Sequence, residues 1–220
     1  MSLSLKQAQP NSKAGRALRR RAPQAIENVK KAICLRGPKT SEIIVSVLRD
    51  FAMLKKPDGK MFTRKNDVRP FEDESRLEFL CERNDASLFA YGSHSKKRPH
   101  NLVLGRMFDW QLTDMLELGV GRYVSVADRA APSKKLIGSK PCFVFTGNEF
   151  QSSLVHIKLK SLLLDFFRGR ALEAVDLTAL DHVICVTATG PTGPVKFRTY
   201  VLDFVDKEDG EGRLIHEKAS

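Results

Sequence analysis

No run in the chain approaches the roughly 18 consecutive apolar residues that a membrane span needs, and Met1 to Arg21 contains no apolar stretch of signal-peptide length. A cytosolic or nuclear compartment with no membrane partner is therefore expected. Cysteine is sparse. Cys34, Cys81, Cys142 and Cys185 lie far apart, form no C-x-x-C pair and sit among apolar neighbours, which favours reduced, buried thiols over a disulfide or a zinc site. His94, His100, His156, His182 and His216 show no metal-ligand spacing with one another or with the cysteines. A P-loop needs a glycine directly before the lysine and Ser or Thr after it, and Gly92 with Lys97 has neither. Gly119 and Gly121 open a dinucleotide-type loop, but Val124 stands where its third glycine belongs. There is no G-x-S-x-G nucleophile turn. The acidic run Glu72, Asp73 and Glu74 falls at a helix start, where it complements the helix dipole. These absences predict a protein that is not an enzyme and needs no cofactor or metal.

What the chain does have is positive charge. Its 220 residues carry 37 Lys and Arg against 26 Asp and Glu, a net of +11. Such an excess attracts polyanions, either nucleic acid or an anionic membrane face. Residues 1–39 hold ten bases (Lys6, Lys13, Arg16, Arg19, Arg20, Arg21, Lys30, Lys31, Arg36, Lys39) against Glu27 alone, so this segment supplies +9 of the total. Up to Pro23 it is also poor in large apolar residues and reads as a disordered basic arm. It is either a solvated tail or import signal, or a segment that folds along phosphates. From Val201 to Ser220 the balance reverses, with six acids and three bases.

A second basic cluster is central. The run Gly92 to Asn101 contains Lys96, Lys97 and Arg98 in succession, flanked by His94 and His100, and has no acid. It separates the apolar segments Ser87–Tyr91 and Leu102–Leu104, which read as strands either side of a loop, and Arg106 follows. A loop on such a base suits gripping a phosphate backbone; the plain alternative is a hairpin tip kept soluble by lysines. The candidate RNA-binding residues are thus Arg19, Arg20, Arg21, Lys30, Lys31, His94, Lys96, Lys97, Arg98 and Arg106. Lys55, Lys56, Lys60, Arg64 and Lys65 form a third set, diluted by Asp58 and Asp67, that reads as ordinary surface.

Periodicity predicts an α/β protein. A strand at Ala32–Leu35 precedes a helix over Ser41–Leu54, with the apolar stripe Ile43, Ile44, Val47, Leu48, Phe51 and Leu54. A strand at Cys142–Phe145 precedes a helix over Leu154–Phe167, with Val155, Leu159, Leu162, Leu163, Phe166 and Phe167 in line. Each strand is followed by a glycine, and each helix holds Asp-Phe, at 50–51 and at 165–166. The echo suggests two similar half-domains. Shorter helices are expected over Glu72–Arg83 and Asp109–Leu118, and paired strands over Val183–Thr187 and Val195–Val201. The organisation expected is a basic arm (1–23), a first half (24–120), a joining segment rich in Gly, Ser and Pro (121–140), a second half (141–205) and an acidic end (206–220).

The stretch from Gly92 to Asp109 (GSHSKKRPHNLVLGRMFD), together with Glu27–Gly37, Lys65–Glu72, Gly138–Pro141 and the Leu-Leu-Asp-Phe-Phe-Arg-Gly run ending at Gly169, resembles the Brix-domain family over residues 24–205. The resemblance implies two α/β halves, each similar to the anticodon-binding domain of some aminoacyl-tRNA synthetases. It further implies nucleolar work on the large ribosomal subunit, with the regulator of ribosome synthesis as obligate heterodimer partner. That pair would bring 5S ribosomal RNA and its two accompanying ribosomal proteins to pre-60S ribosomal RNA. Family members usually continue into a further, often basic, C-terminal tail, so a chain stopping in an acidic stretch at Ser220 is expected to lack those contacts. A competing reading is a protein–protein scaffold in ribosome assembly with only non-specific RNA affinity, in which Phe89, Tyr91, Met107, Phe108 and Trp110 form a partner groove or else belong to the core.

Overall fold

The computed structural model describes Ser12, Gly15, Arg16 and residues 28–126, 139–169, 180–206 and 213–219. Two apolar runs become central strands. In β1 (Ala32–Arg36) and β3 (Leu88–Ser93) almost every residue is buried, because both faces of the sheet are covered. Ala32, Cys34, Leu88 and Ala90 point to one face, and Ile33, Leu35, Phe89 and Tyr91 to the other. Around them a five-stranded sheet has the order β2-β1-β3-β4-β5, with β2 (Gly59–Lys65), β4 (Asn101–Phe108) and β5 (Gln111–Gly119) completing it. β1 runs parallel to β2 and β3, and β3, β4 and β5 alternate in direction.

The first face is covered by α1 (Glu42–Leu54). Ser41 caps it by accepting the Ile44 N–H at 3.3 Å, and Lys56-Pro57 follows its end. Ile44, Val47 and Leu48 face inward, whereas Ile43, placed on the same stripe by periodicity, is 39 % exposed. A Cβ at Gly92 would lie 2.8 Å from Leu48 and 3.0 Å from Ile44, so glycine there lets α1 lie directly on β3. The second face is covered by α2 (Ser75–Arg83) through Leu77 and Cys81, packed with Phe89, Val103 and Met107.

A four-stranded sheet follows in the order β6-β7-β8-β9, from β6 (Cys142–Thr146), β7 (His182–Ala188), β8 (Val195–Asp206) and β9 (Arg213–Ala219). Its parallel pair and two antiparallel pairs repeat the β1-β3-β4-β5 arrangement, so the molecule contains two similar α/β units. Between β6 and β7 lie the short α3 (Glu149–Ser152) and the long α4 (Leu154–Phe167). The inner strand residues Ile184 and Val186 join Phe150, Leu159, Leu163, Phe166 and Phe167 in the same core that holds α1. Phe51 of α1 packs against that core and links α1 to α4 and β8, with ring centroids 5.8 Å from Phe166, 5.3 Å from Phe167 and 5.7 Å from Phe197. Among the described residues no helix is long and apolar enough to cross a membrane.

Four sequence expectations need correction. The segment 109–118 is not a helix: Asp109 and Trp110, with φ of 48° and 63°, make a tight turn into β5. Its helical spacing comes from a bulge. Arg106 pairs with Asp114 and Met107 with Leu112, leaving Thr113 as the extra residue. The bulge reverses strand parity, so Leu112 and Met115 share a face three residues apart. Of the third basic set, Lys56, Lys60, Arg64 and Lys65 are exposed surface as expected, but Lys55 is buried, at 5 % exposed. The cysteines divide: Cys34 and Cys81 are buried, with burial pushing both thiols up to about 12, while Cys142 and Cys185 are partly exposed. The groove and core alternatives need no correction: Phe89, Tyr91 and Met107 take the core, and Phe108 is 79 % exposed at the β4–β5 turn. The stripe of α4 also includes an exposed residue, Val155.

Candidate nucleic-acid interface

The basic run forms the connection between β3 and β4, whose ladder continues to Ser93 and Asn101. Loop 94–100 is pinned from within and from α1. The His94 N–H donates to the Lys39 carbonyl at 2.8 Å, and His94 Nδ1 accepts the His100 N–H at 3.1 Å. With Nδ1 accepting, a neutral His94 carries its proton on Nε2. Ser95 N–H donates to the Arg98 carbonyl and Arg98 N–H to Ser95 Oγ, both at 3.1 Å. His100 takes a left-handed φ of 47°, and its Nδ1 lies 2.7 Å from Ser41 Oγ, the capping atom of α1. The two imidazoles stand 5.0 Å apart. The turn closed by these bonds carries Lys96 and Lys97 at its tip. Both are exposed, and among the described residues neither has an ion-pair or hydrogen-bond partner.

Arg98 is placed differently. Its guanidinium pairs with Glu117 of β5 at 2.8 Å, and the same carboxylate oxygen accepts from buried Asn101 at 2.7 Å. The Arg98 side chain stays 62 % exposed, so it is steered rather than hidden.

The other predicted cations do not converge on this loop. The Arg106 guanidinium forks onto Asp114 at 2.8 and 2.9 Å and reaches α4 through Ser161 at 2.9 Å and Asp165 at 2.8 Å. With those bonds, it ties the β4–β5 hairpin to α4. The hydrogen bond with Asp114 holds the Arg106 pKa above its ordinary value. Burial works to raise the Asp165 carboxyl, but the bonds from Arg106 and Lys30 override it and leave it below the usual carboxylate range. Lys30 contacts Asp165 at 3.0 Å and Lys31 contacts Asp85 at 2.6 Å. The Leu88 N–H donates to the Lys31 carbonyl, so Lys31 lies where β3 begins, whereas His94 lies where it ends. About 17 Å of strand, at about 3.3 Å per residue, separates the two basic ends. Arg19, Arg20 and Arg21 lie outside the described residues.

Sequence reading missed Glu117, Asp114, Asp165 and Ser41, the residues that position these cations. Reading 109–118 as a helix hides the first two, because only the β4–β5 register brings Asp114 opposite Arg106 and Glu117 near the loop. Among the described residues no cluster of His, Cys, Asp and Glu is arranged to hold a metal ion. The arrangement holds outward cations on a turn bonded to Ser41 and Lys39, a placement that suits contact with backbone phosphates.

A family model described as the Brix domain matches residues 37–218, from the end of β1 into β9. The chain belongs to the Brix-domain family. This Brix domain is 44 % identical over 190 residues to the ribosome production factor 2 homolog of Mus musculus, covering 86 % of the chain and 61 % of the relative. Identity to the Schizosaccharomyces pombe ribosome production factor 2 homolog is 43 % over 204 residues, covering 89 % and 64 %. The chain thus spans about three fifths of the length of these relatives. A crystal structure of a probable ribosomal biogenesis protein from Aeropyrum pernix K1 superposes with a TM-score of 0.51 over 79 % of this chain and 87 % of that one. At 12 % identity that likeness concerns the Brix fold alone.

Proposed function

We propose that this Brix domain is a non-enzymatic ribosome-assembly factor that holds ribosomal RNA on loop 94–100. Together with the regulator of ribosome synthesis, it brings the 5S ribonucleoprotein into the pre-60S particle in the nucleolus. Support for the assembly role comes from the family and from the names of its relatives. The observation that carries the RNA reading is the placement of Lys96 and Lys97: two exposed cations with no acid partner among the described residues, on a turn fixed to α1, in a chain of net charge +11. Phosphate contacts of this kind supply affinity and orientation but little sequence information, so selectivity rests on RNA shape and on the protein partners. Arg98 and His94 contribute from the flanks of the turn. Lys30 and Arg106 serve mainly to join the units through Asp165, Lys31 pairs with Asp85 inside the first unit, and the arm residues Arg19, Arg20 and Arg21 add a second phosphate-binding segment.

The test is a salt titration of 5S RNA binding to the chain alone and to its complex with the partner. Replacing Lys96 and Lys97 by Glu is expected to lower the salt slope by about 2, roughly one unit for each phosphate no longer neutralised, with the melting temperature unchanged. Arg98→Glu is expected to weaken binding less. An unaltered slope in both forms would remove the loop from the interface.

A further inference from the structure

Residues 67–83 form the turn and helix over the second face of the five-stranded sheet, and their outer side differs from the rest of the molecule. Leu77 and Cys81 face inward, while Arg76, Phe79 and Arg83 follow one another on the solvent side. Phe79 is 51 % exposed and Phe71, in the preceding turn, 53 %. Leaving such a ring half in water forgoes about half of the roughly 1.5–3 kcal/mol that full burial provides. Charge inverts here too. Over residues 67–83 the acids Asp67, Glu72, Asp73, Glu74, Glu78 and Glu82 outnumber Arg69, Arg76 and Arg83, a local net of −3 in a chain of +11, although Glu78 is turned toward β5, where it accepts the Leu112 N–H at 2.8 Å. Two of those arginines are engaged: Arg69 with Glu72 at 2.9 Å, and Arg83 over the Phe79 ring at 5.2 Å. Two shallow, open clefts meet at Arg76. One, of about 350 Å³, is lined by Ser75, Arg76, Phe79 and Leu80. The other, of about 330 Å³, is lined by Asp67, Arg69, Glu72, Asp73 and Arg76.

We propose that this outer face of α2 docks a basic segment of a partner protein, with one apolar side chain against Phe79 and Leu80 and lysines or arginines toward Asp67, Glu72 and Asp73. Charge complementarity selects that occupant. A phosphate backbone meets net repulsion on this face, whereas a cationic peptide with an apolar anchor satisfies the ring and the carboxylates together. The surface lies apart from loop 94–100: α2 covers a face of the sheet, and the loop extends from the end of β3. RNA and a protein partner are thereby assigned to different parts of the domain.

The probe is an array of Lys/Arg-rich peptides of about twelve residues, each with a single Leu, Ile, Phe or Tyr at a varied position, titrated against the full chain. Peptides with an anchor are expected to bind saturably. Phe79→Ala and Glu72→Lys should each weaken that binding by about tenfold, with circular dichroism and melting unchanged because both side chains are exposed. The Lys96/Lys97 reversal should leave peptide binding intact, and Phe79→Ala should leave 5S RNA binding intact. The proposal is overturned if no anchored peptide binds or if binding survives both substitutions. It is equally overturned if the chain self-associates at the same concentrations and Phe79→Ala abolishes that, since the occupant is then a second copy.

Discussion

Lys55 ends α1 with 5 % of its surface exposed, and its Nζ has no hydrogen-bond partner among the described residues. Burial pushes the ammonium down from 10.5 to about 8 against the pull of Asp58 and Asp165, with Lys30 adding to the fall. The folded state therefore holds this proton less tightly than the unfolded chain does. The penalty is full below pH 8 and fades as pH climbs toward 10.5, so stability gains across that window. Lys55→Met keeps the packing of the stem and removes the charge. It is expected to add about 2–3 kcal/mol at pH 7 and to flatten the alkaline rise, both read from urea unfolding across pH 7 to 10. Loss of stability in Lys55→Met would contradict an unpartnered Nζ. Arg106 makes the opposite case, since its forked contacts need a planar guanidinium. Arg106→Lys should cost about 1–3 kcal/mol and let the Asp165 carboxyl drift upward in an NMR titration. An unmoved Asp165 would show that Lys30 alone holds it.

At the scale of elements, Ser41 serves two: its Oγ caps α1 and meets His100 of the loop. Ser41→Ala should cost about 1–2 kcal/mol and speed hydrogen exchange at the His100 amide, while Thr40→Ala should do neither. Elements whose signal is local were legible in the sequence. The runs Ala32–Leu35 and Ser87–Tyr91 are apolar on both faces because they are central strands, and the stripe Leu159, Leu162, Leu163, Phe166 marks α4. The basic loop was legible for the same reason, being ten consecutive residues. Signals written elsewhere in the chain were not. β2 is an edge strand whose half-exposed residues pair only with β1, and β9 is defined by its ladder to β8. The bulge at Thr113 gave β5 a helix-like spacing. Glu117 lies 19 residues from Arg98, and Asp165 lies 59 from Arg106. A cation with such a distant partner cannot be told from a free one by its neighbours in sequence, so sequence alone ranks Arg106 beside Lys96.

For the whole molecule the governing feature is one apolar core shared by α1, α4 and the inner faces of both sheets. Phe51→Ala should destabilise by about 2–4 kcal/mol while keeping a single unfolding transition. Circular dichroism and Trp110 fluorescence should coincide, since residues of both sheets and of α1 and α4 belong to one shared core. Separate transitions would mean the units fold independently. The same ring sets a condition on synthesis. Phe51 leaves the ribosome more than a hundred residues before Phe166 and Phe167, an interval of about 6–23 s at about 5–20 residues per second. Throughout it the Phe51 ring lacks its partners from α4 and β8 even where α1 already lies on β1 and β3, so the growing chain presents an uncovered aromatic flank to chaperones or to premature contacts.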